Sequence, residues 1–151
     1  HWAGVQGKRY SVLMPLTGDV ATHLENQGLV GGSSGWSVFQ SVLPDTPDKA
    51  VAIYDTGGPP PDQTSGTRHS FPTFQIRVRA AKHGYSAARS KFDAIMNALN
   101  DPTLYIADDA GSPTPTYVYC YPEQSGPTTF YDENERPQLV GRFRTMKPET
   151  A

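Results

Sequence analysis

The chain has 151 residues, 36% hydrophobic and 11% aromatic, and a net charge of −2 from 13 basic and 15 acidic side chains. That is one domain's worth of chain, rich enough in Tyr, Phe and Val to exclude disorder throughout and to build a core without disulfides. The absence of a basic excess argues against a protein that grips nucleic acid by its phosphates. Cys120 stands alone, which excludes an internal disulfide, and no apolar run reaches membrane-spanning length.

Gly and Pro, 14 of each, point to many turns and to strands more than helices. Between 10 and 27, Leu13, Leu16, Val20 and Leu24 recur at three- and four-residue steps. This predicts an amphipathic helix with Ser11 as N-cap and Gly28 as a left-handed C-cap. "GLVGGSSG" reads as a loop. "WSVFQSVLP" reads as a strand stopped by Pro44, and "PDTPD" as a turn.

"KAVAIYD" (49–55) is apolar with hardly any alternation, as in a strand covered on both faces. "FPTFQIRVRA" alternates, with Phe74, Ile76 and Val78 on one face and Thr73, Gln75, Arg77 and Arg79 on the other. These two strands are expected to pair around a polar excursion at about 57–70 that holds Pro59, Pro60 and Pro61. So long a loop in a compact domain reads as an interaction arm, stiffened at its base by the prolines.

"YSAARSKFDAIMNALND" predicts the strongest helix, with Ala88, Phe92, Ile95, Met96 and Leu99 inward, Ser86 as cap and Asp101-Pro102 as stop. "TLYIAD" is a short predicted strand. "TYVYCY" is another, with Tyr117, Tyr119 and Tyr121 on one face and Val118 and Cys120 on the other. The stretch at about 122–136 reads as irregular and acidic. "QLVGRFRTM" closes the chain with Leu139 and Phe143 opposite Arg142 and Arg144. The order gives a single α+β domain over 1–151, a largely antiparallel mixed sheet packed against two helices. The start, "HWAGVQGKRY", has no Met and no signal-peptide pattern.

Catalytic patterns are few. Gly31-Gly32-Ser33-Ser34-Gly35 satisfies G-x-S-x-G, but a nucleophile elbow needs a strand before it and a helix after it, and here the order is reversed. His1, His23, His69 and His83 lack paired-ligand spacing. Asp45, Asp48, Asp108 and Asp109 lack the distant Glu of a calcium loop, so they read as turn residues. No phosphate loop appears and no cofactor is implied. Two other classes stay open: a small serine hydrolase using Ser33, and a ligand-binding module using Trp36 and the tyrosine strand.

The arginines have no such easy explanation. Arg77 and Arg79 share one strand face, and Arg142 and Arg144 share another; if the strands are neighbours, four like charges crowd unless acids intervene. The acids are either internal, from Asp132, Glu133 and Glu135, or supplied by a neighbouring copy across a charge-complementary interface.

"PDKAVAIYDTGG" (47–58), the "QIRVR" strand (75–79) and the helix at 85–100 together resemble the small minor capsid or tail terminator proteins of long-tailed bacteriophages. The resemblance covers the central third of the chain. It implies a tail-terminator-like α+β subunit without catalytic activity, forming a hexameric ring at the virion neck after assembly in the host cytoplasm. Such a ring ends the tail tube, meets the tail tube protein and the head-connector or stopper protein, and lets DNA pass through its lumen without specific binding or any membrane. A head-completion or connector-adaptor subunit is the alternative within that reading. The interface residues it suggests are Asp55, Gly57, Gly58, Arg68, Gln75, Arg77, Arg79, Arg142 and Arg144. Asp55 is either a turn former ahead of the glycines or a partner for an Arg of the next subunit.

Overall fold

The computed structural model describes residues 16–62, 68–100, 117 and 119–149. In chain order they form α1 (Leu16–Asn26), β1 (Ser37–Gln40), β2 (Ala50–Gly57), β3 (Arg68–Ser70), β4 (Thr73–Arg79), α2 (Tyr85–Leu99), β5 (Tyr119–Pro122), β6 (Thr128–Tyr131) and β7 (Pro137–Glu149). The fold is α+β, as expected. A mixed, mostly antiparallel sheet packs its apolar face against both helices.

β7 is the strand on which the sheet is built. On one side β4 pairs with it from Thr73↔Arg144 to Arg79↔Gln138, and β3 continues the same register from Ser70↔Lys147 to Arg68↔Glu149. Only Phe71 and Pro72 interrupt them, and Thr145 bonds the Pro72 carbonyl through both its amide and its hydroxyl. On the other side β5 pairs with 143–146 and β6 with 137–140. Beyond β4 lie β2, antiparallel, and then β1, parallel to β2.

Several expectations are corrected here. The excursion at 57–70 is no free arm throughout: Asp62 and His69 form a bridge, and Arg68–Ser70 is strand. The segment at 122–136 is not wholly irregular, because "TTFY" is made of strand-forming residues and finds the edge of β7. β1 ends at Gln40, where Ser41 turns left-handed with φ 64°. Tyr117 does not share a face with Tyr119 and Tyr121 but turns into the core. Ser86 lies inside α2, whose N-cap is Gly84, so the helix starts two residues earlier than the cap pattern suggested, straight after the turn through His83 (φ 67°). The expected strand at 103–108 and the helical stretch 10–15 lie outside the described residues.

The helix ends follow from local chemistry. After α1, Gly28 takes φ 75°, its amide bonds the Glu25 carbonyl and that of Leu29 bonds the Leu24 carbonyl, the double closure of a Schellman cap. Leu16, Val20 and Leu24 of α1, and Ala88, Phe92, Ile95 and Leu99 of α2, then face Val51, Ile53, Phe74, Ile76, Val78, Leu139 and Phe143 of the sheet. Each large side chain so buried contributes about 1.5–3 kcal/mol.

Gly141 is where α2 approaches the sheet most closely. A Cβ at this position would stand 2.5 Å from Cζ of Phe92. The Gly141→Ala protein should lose about 1–3 kcal/mol to overpacking, read as a lower denaturant midpoint.

Asp19 is sealed under α1 at 3% exposure and accepts a 2.7 Å hydrogen bond from the Tyr117 hydroxyl. Burial pushes its pKa above the usual carboxylate value, outweighing the Tyr117 bond and the charge of Lys147. A carboxyl group that holds its proton more tightly when folded withdraws stability as pH rises from its unfolded pKa through its folded one. Asn at this position still accepts from Tyr117 and never ionises. The Asp19→Asn protein should therefore gain stability relative to the parent as pH rises from about 4, measured by denaturation across pH.

Candidate subunit interface

The sheet face turned away from the helices carries the arginines. Alternation puts Thr73, Gln75, Arg77 and Arg79 of β4 there, with Gln138, Val140, Arg142 and Arg144 of β7 beside them in register. The four arginines share a face as the sequence implied, but they do different work.

Arg79 is buried at 2% exposure. Its Nε donates to the Asp48 carbonyl at 3.1 Å and a terminal nitrogen donates to the Pro47 carbonyl. Burial and the neighbouring Arg136 charge push its pKa below the ordinary arginine value. It fastens the 41–49 segment across the sheet beside Ala50, which explains why Ala50 and Ala52 are buried although no helix covers that side. Arg79 is therefore satisfied inside the subunit.

Arg136, which the sequence reading passed over, collects the acids. Buried at 7% exposure, it meets Asp45 at 2.8 Å, Asp48 at 3.1 Å and Asp132 at 2.8 Å, and donates to the Asp45 carbonyl at 2.7 Å. Burial works against its charge, but the bonds to Asp48, Asp132 and Asp45 prevail and raise its pKa. Burial likewise works against the charge on Asp132, but the amides of Arg136 and Asn134 and the Arg136 guanidinium prevail and hold its pKa below the usual range. Glu135 pairs with Lys82 at 2.7 Å. Asp132 is thus paired with Arg136 and Glu135 with Lys82, and neither forms an ion pair with Arg77, Arg142 or Arg144. The sequence signal for Arg136 was the i, i+4 spacing from Asp132 across a turn.

Arg77 lies between Tyr54 and Phe130, 5.7 and 5.0 Å from their ring centroids. Its terminal nitrogens reach only the amide oxygens of Gln138 (3.3 Å) and Gln75 (3.4 Å), and its buried Nε has no hydrogen-bond partner. Among the described residues no carboxylate pairs with it. It borders a cavity of about 330 Å³ shared with Leu43, Tyr54 and Glu133.

Arg142 and Arg144 are half-exposed and share one carboxylate, Glu123, at 3.8 and 3.5 Å. Arg142 also reaches the hydroxyls of Thr56 and Thr73. The Tyr121 hydrogen bond and the Glu123 charge raise the pKa of Arg144. The open face thus presents three guanidinium groups, of which Arg142 and Arg144 share Glu123 while Arg77 is in no ion pair among the described residues.

The remaining predicted residues sit elsewhere. Asp55 is exposed on β2 opposite Phe74, on the helix side of the sheet, and no described residue pairs with its carboxylate. Gly57 forms a bulge at φ 79° beside Thr73. Gly58 (φ 123°) lies where any Cβ would collide with the Phe71 carbonyl, so both close the base of the excursion. Arg68 is at the far end of β7, opposite Glu149. Ser33 stands exposed on a loop leading from helix to strand. Trp36 is buried, with Lys49 and Lys91 each 5.5 Å from its ring centroid, so it offers no open binding platform. Among the described residues no group of three His, Cys, Asp or Glu is placed to hold a metal, and no helix is long and apolar enough to cross a membrane.

Replacing Arg136 with Met leaves three carboxylates without their cation. Asp45 and Asp48 stand largely in water, so the loss should be about 2–3 kcal/mol rather than the full cost of a broken buried pair. There is a pH signature as well. The depressed pKa of Asp132 supplies stability above its unfolded value that disappears as pH falls through the folded one. The acid limb of the stability curve should be shallower in Arg136→Met than in the parent, by denaturation across pH.

Three comparisons bear on this arrangement. Residues 23–141 match the family model of the bacteriophage tail terminator protein. A chain of the solved structure described as "Virion of native gene transfer agent (GTA) particle" superposes with a TM-score of 0.61 at 17% identity, covering 93% of this chain and 99% of that chain. At that identity the likeness is one of fold. A search of curated proteins finds no match. With more than half of its length matched by the family model, and in the fold its sequence implied, the chain belongs to the bacteriophage tail terminator protein family.

Proposed function

We propose that this chain is a non-enzymatic virion subunit whose copies form a ring, with six members as the family resemblance implies, at the neck of a phage or phage-like particle. The ring ends the tail tube and joins it to the head connector. The observation that carries this reading is the open sheet face, where Arg142 and Arg144 share Glu123 and, among the described residues, no carboxylate pairs with Arg77. Asp55, exposed on the opposite side of the sheet, is a carboxylate that another copy can use.

A charge on one side of a subunit and its complement on the other favours head-to-tail contact, and such contacts close into rings when the rotation allows. The net charge of −2 per copy suits a lumen through which DNA passes without being held. The family match supports the terminator over the connector-adaptor alternative. Ser33, on a loop from helix to strand, gives no support to hydrolysis.

The test is reversal of charge at exposed positions that do not hold the fold. Arg142→Glu together with Arg144→Glu should leave far-UV circular dichroism unchanged. In a complementation assay it should yield tails that fail to join heads, seen by electron microscopy of lysates. Normal particles from the double variant would remove the arginine face from the proposal.

A further inference from the structure

Among the described residues the sheet leaves β1 and β6 each paired on one side only, and these two edges match. The register can be followed straight across it: Ser37 lies beside Ala50, Ala50 beside Arg79, Arg79 beside Gln138, and Gln138 beside Phe130. Val38 leads in the same way to Thr129, and Phe39 to Thr128. β1 and β6 are therefore edge strands of equal length at the same height on opposite sides of the subunit.

Both have backbone groups to spare. The amides of Ser37 and Ser41 bond to Lys49 and Ile53 on the β2 side, so with a two-residue repeat those of Val38 and Gln40 point outward. The Asp132 amide bonds to Arg136 on the β7 side, so those of Thr129 and Tyr131 point outward. β6 is exposed at all four positions, including Phe130 and Tyr131, and holds no Lys, Pro or bulge of the kind that guards an unpaired edge. Val42, exposed at 53%, flanks β1.

We propose that β6 of one copy pairs with β1 of the next, so that the sheet runs on from subunit to subunit around the ring. This rests on the ring assembly proposed above and adds its main-chain junction. The occupant of each edge is a second copy because the two edges agree in length and height. A rotation about an axis along the strands then brings them together without a vertical shift. Such a rotation preserves strand direction. β1 runs with β2 and β7, whereas β6 runs against β7, so the junction is antiparallel. The joined sheet keeps Phe39 and Thr128, both on the Arg77 side, in one row.

Two kinds of variant test it in the full chain. Thr129→Pro removes an outward amide while leaving those that bond β7, and an edge position tolerates proline; Thr129→Val is its control. Phe39→Cys with Thr128→Cys sets two thiols at a non-hydrogen-bonded pair of the junction, where Cα atoms stand about 4.5 Å apart, within disulfide reach. Cys120 is buried and does not compete.

Light scattering after size exclusion should give ring mass for the parent and Thr129→Val, and monomer mass for a folded Thr129→Pro. The cysteine pair, oxidised, should give a reducible ladder of linked copies in denaturing gels. Ring mass from Thr129→Pro, or no ladder from a cysteine-pair sample that does form rings, overturns the sheet junction and leaves ring assembly standing. A parent chain that stays monomeric at every concentration and beside assembled tails overturns both.

Discussion

Everything in this subunit depends on how a thirteen-residue strand, β7, is hydrogen-bonded on both sides by shorter pieces of chain. A buried strand with unpaired amides is too costly to persist, so each side must be filled. On one side β3 and β4 fill it in a single register, broken only at Phe71-Pro72, where proline has no amide to give and Thr145 caps the gap. On the other side β5 and β6 fill it in registers that differ, with residues 123–127 looped out between them. That looping brings Glu123 to Arg142 and Arg144, so the carboxylate these two share is a consequence of strand pairing.

Charge placement follows from depth. Near the start of β7, where the 41–49 segment folds over the sheet, two arginines are buried and each is satisfied inside the chain. Arg79 is satisfied by carbonyls and Arg136 by three carboxylates. Farther along the strand the arginines have weaker partners. Arg77 is held only by aromatic rings and amides, and Arg142 and Arg144 divide Glu123. A buried cation without compensation would destabilise the monomer by several kcal/mol; Arg142 and Arg144 are exposed, where water or another polypeptide can reach them, whereas Arg77 is half-buried between its two rings.

Much of this was legible in the sequence because it is periodic. The alternation of 73–79 gave β4 and its two faces, and the spacing of Phe92, Ile95 and Leu99 gave α2. Its unbroken apolar run marked β2 as buried on both sides, although the cover on the second side is the Arg79-bound loop. What was hidden is what depends on distant partners. Nothing local in "SVFQ" says that it pairs parallel to β2, and nothing in "TTFY" says that an edge of β7 awaits it. The division of labour among the arginines was equally hidden, since Arg77 and Arg79 have the same strand face and differ only in what folds over them. Arg136, missed in the sequence, is distinguished by acids 88 and 91 positions away, which no spacing rule connects.

The same constraint explains why this fold suits a subunit more than a solitary protein. Helices cover one face of the sheet, and the other carries a loop at one end and bare arginines at the opposite end. An edge with exposed aromatics and outward amides invites aggregation unless a defined neighbour occupies it. Symmetric pairing of β6 with β6 would satisfy that edge but leave β1 open, and would set like surfaces against each other. Joining β6 to β1 uses each of these two edges once per copy, as a closed head-to-tail ring requires.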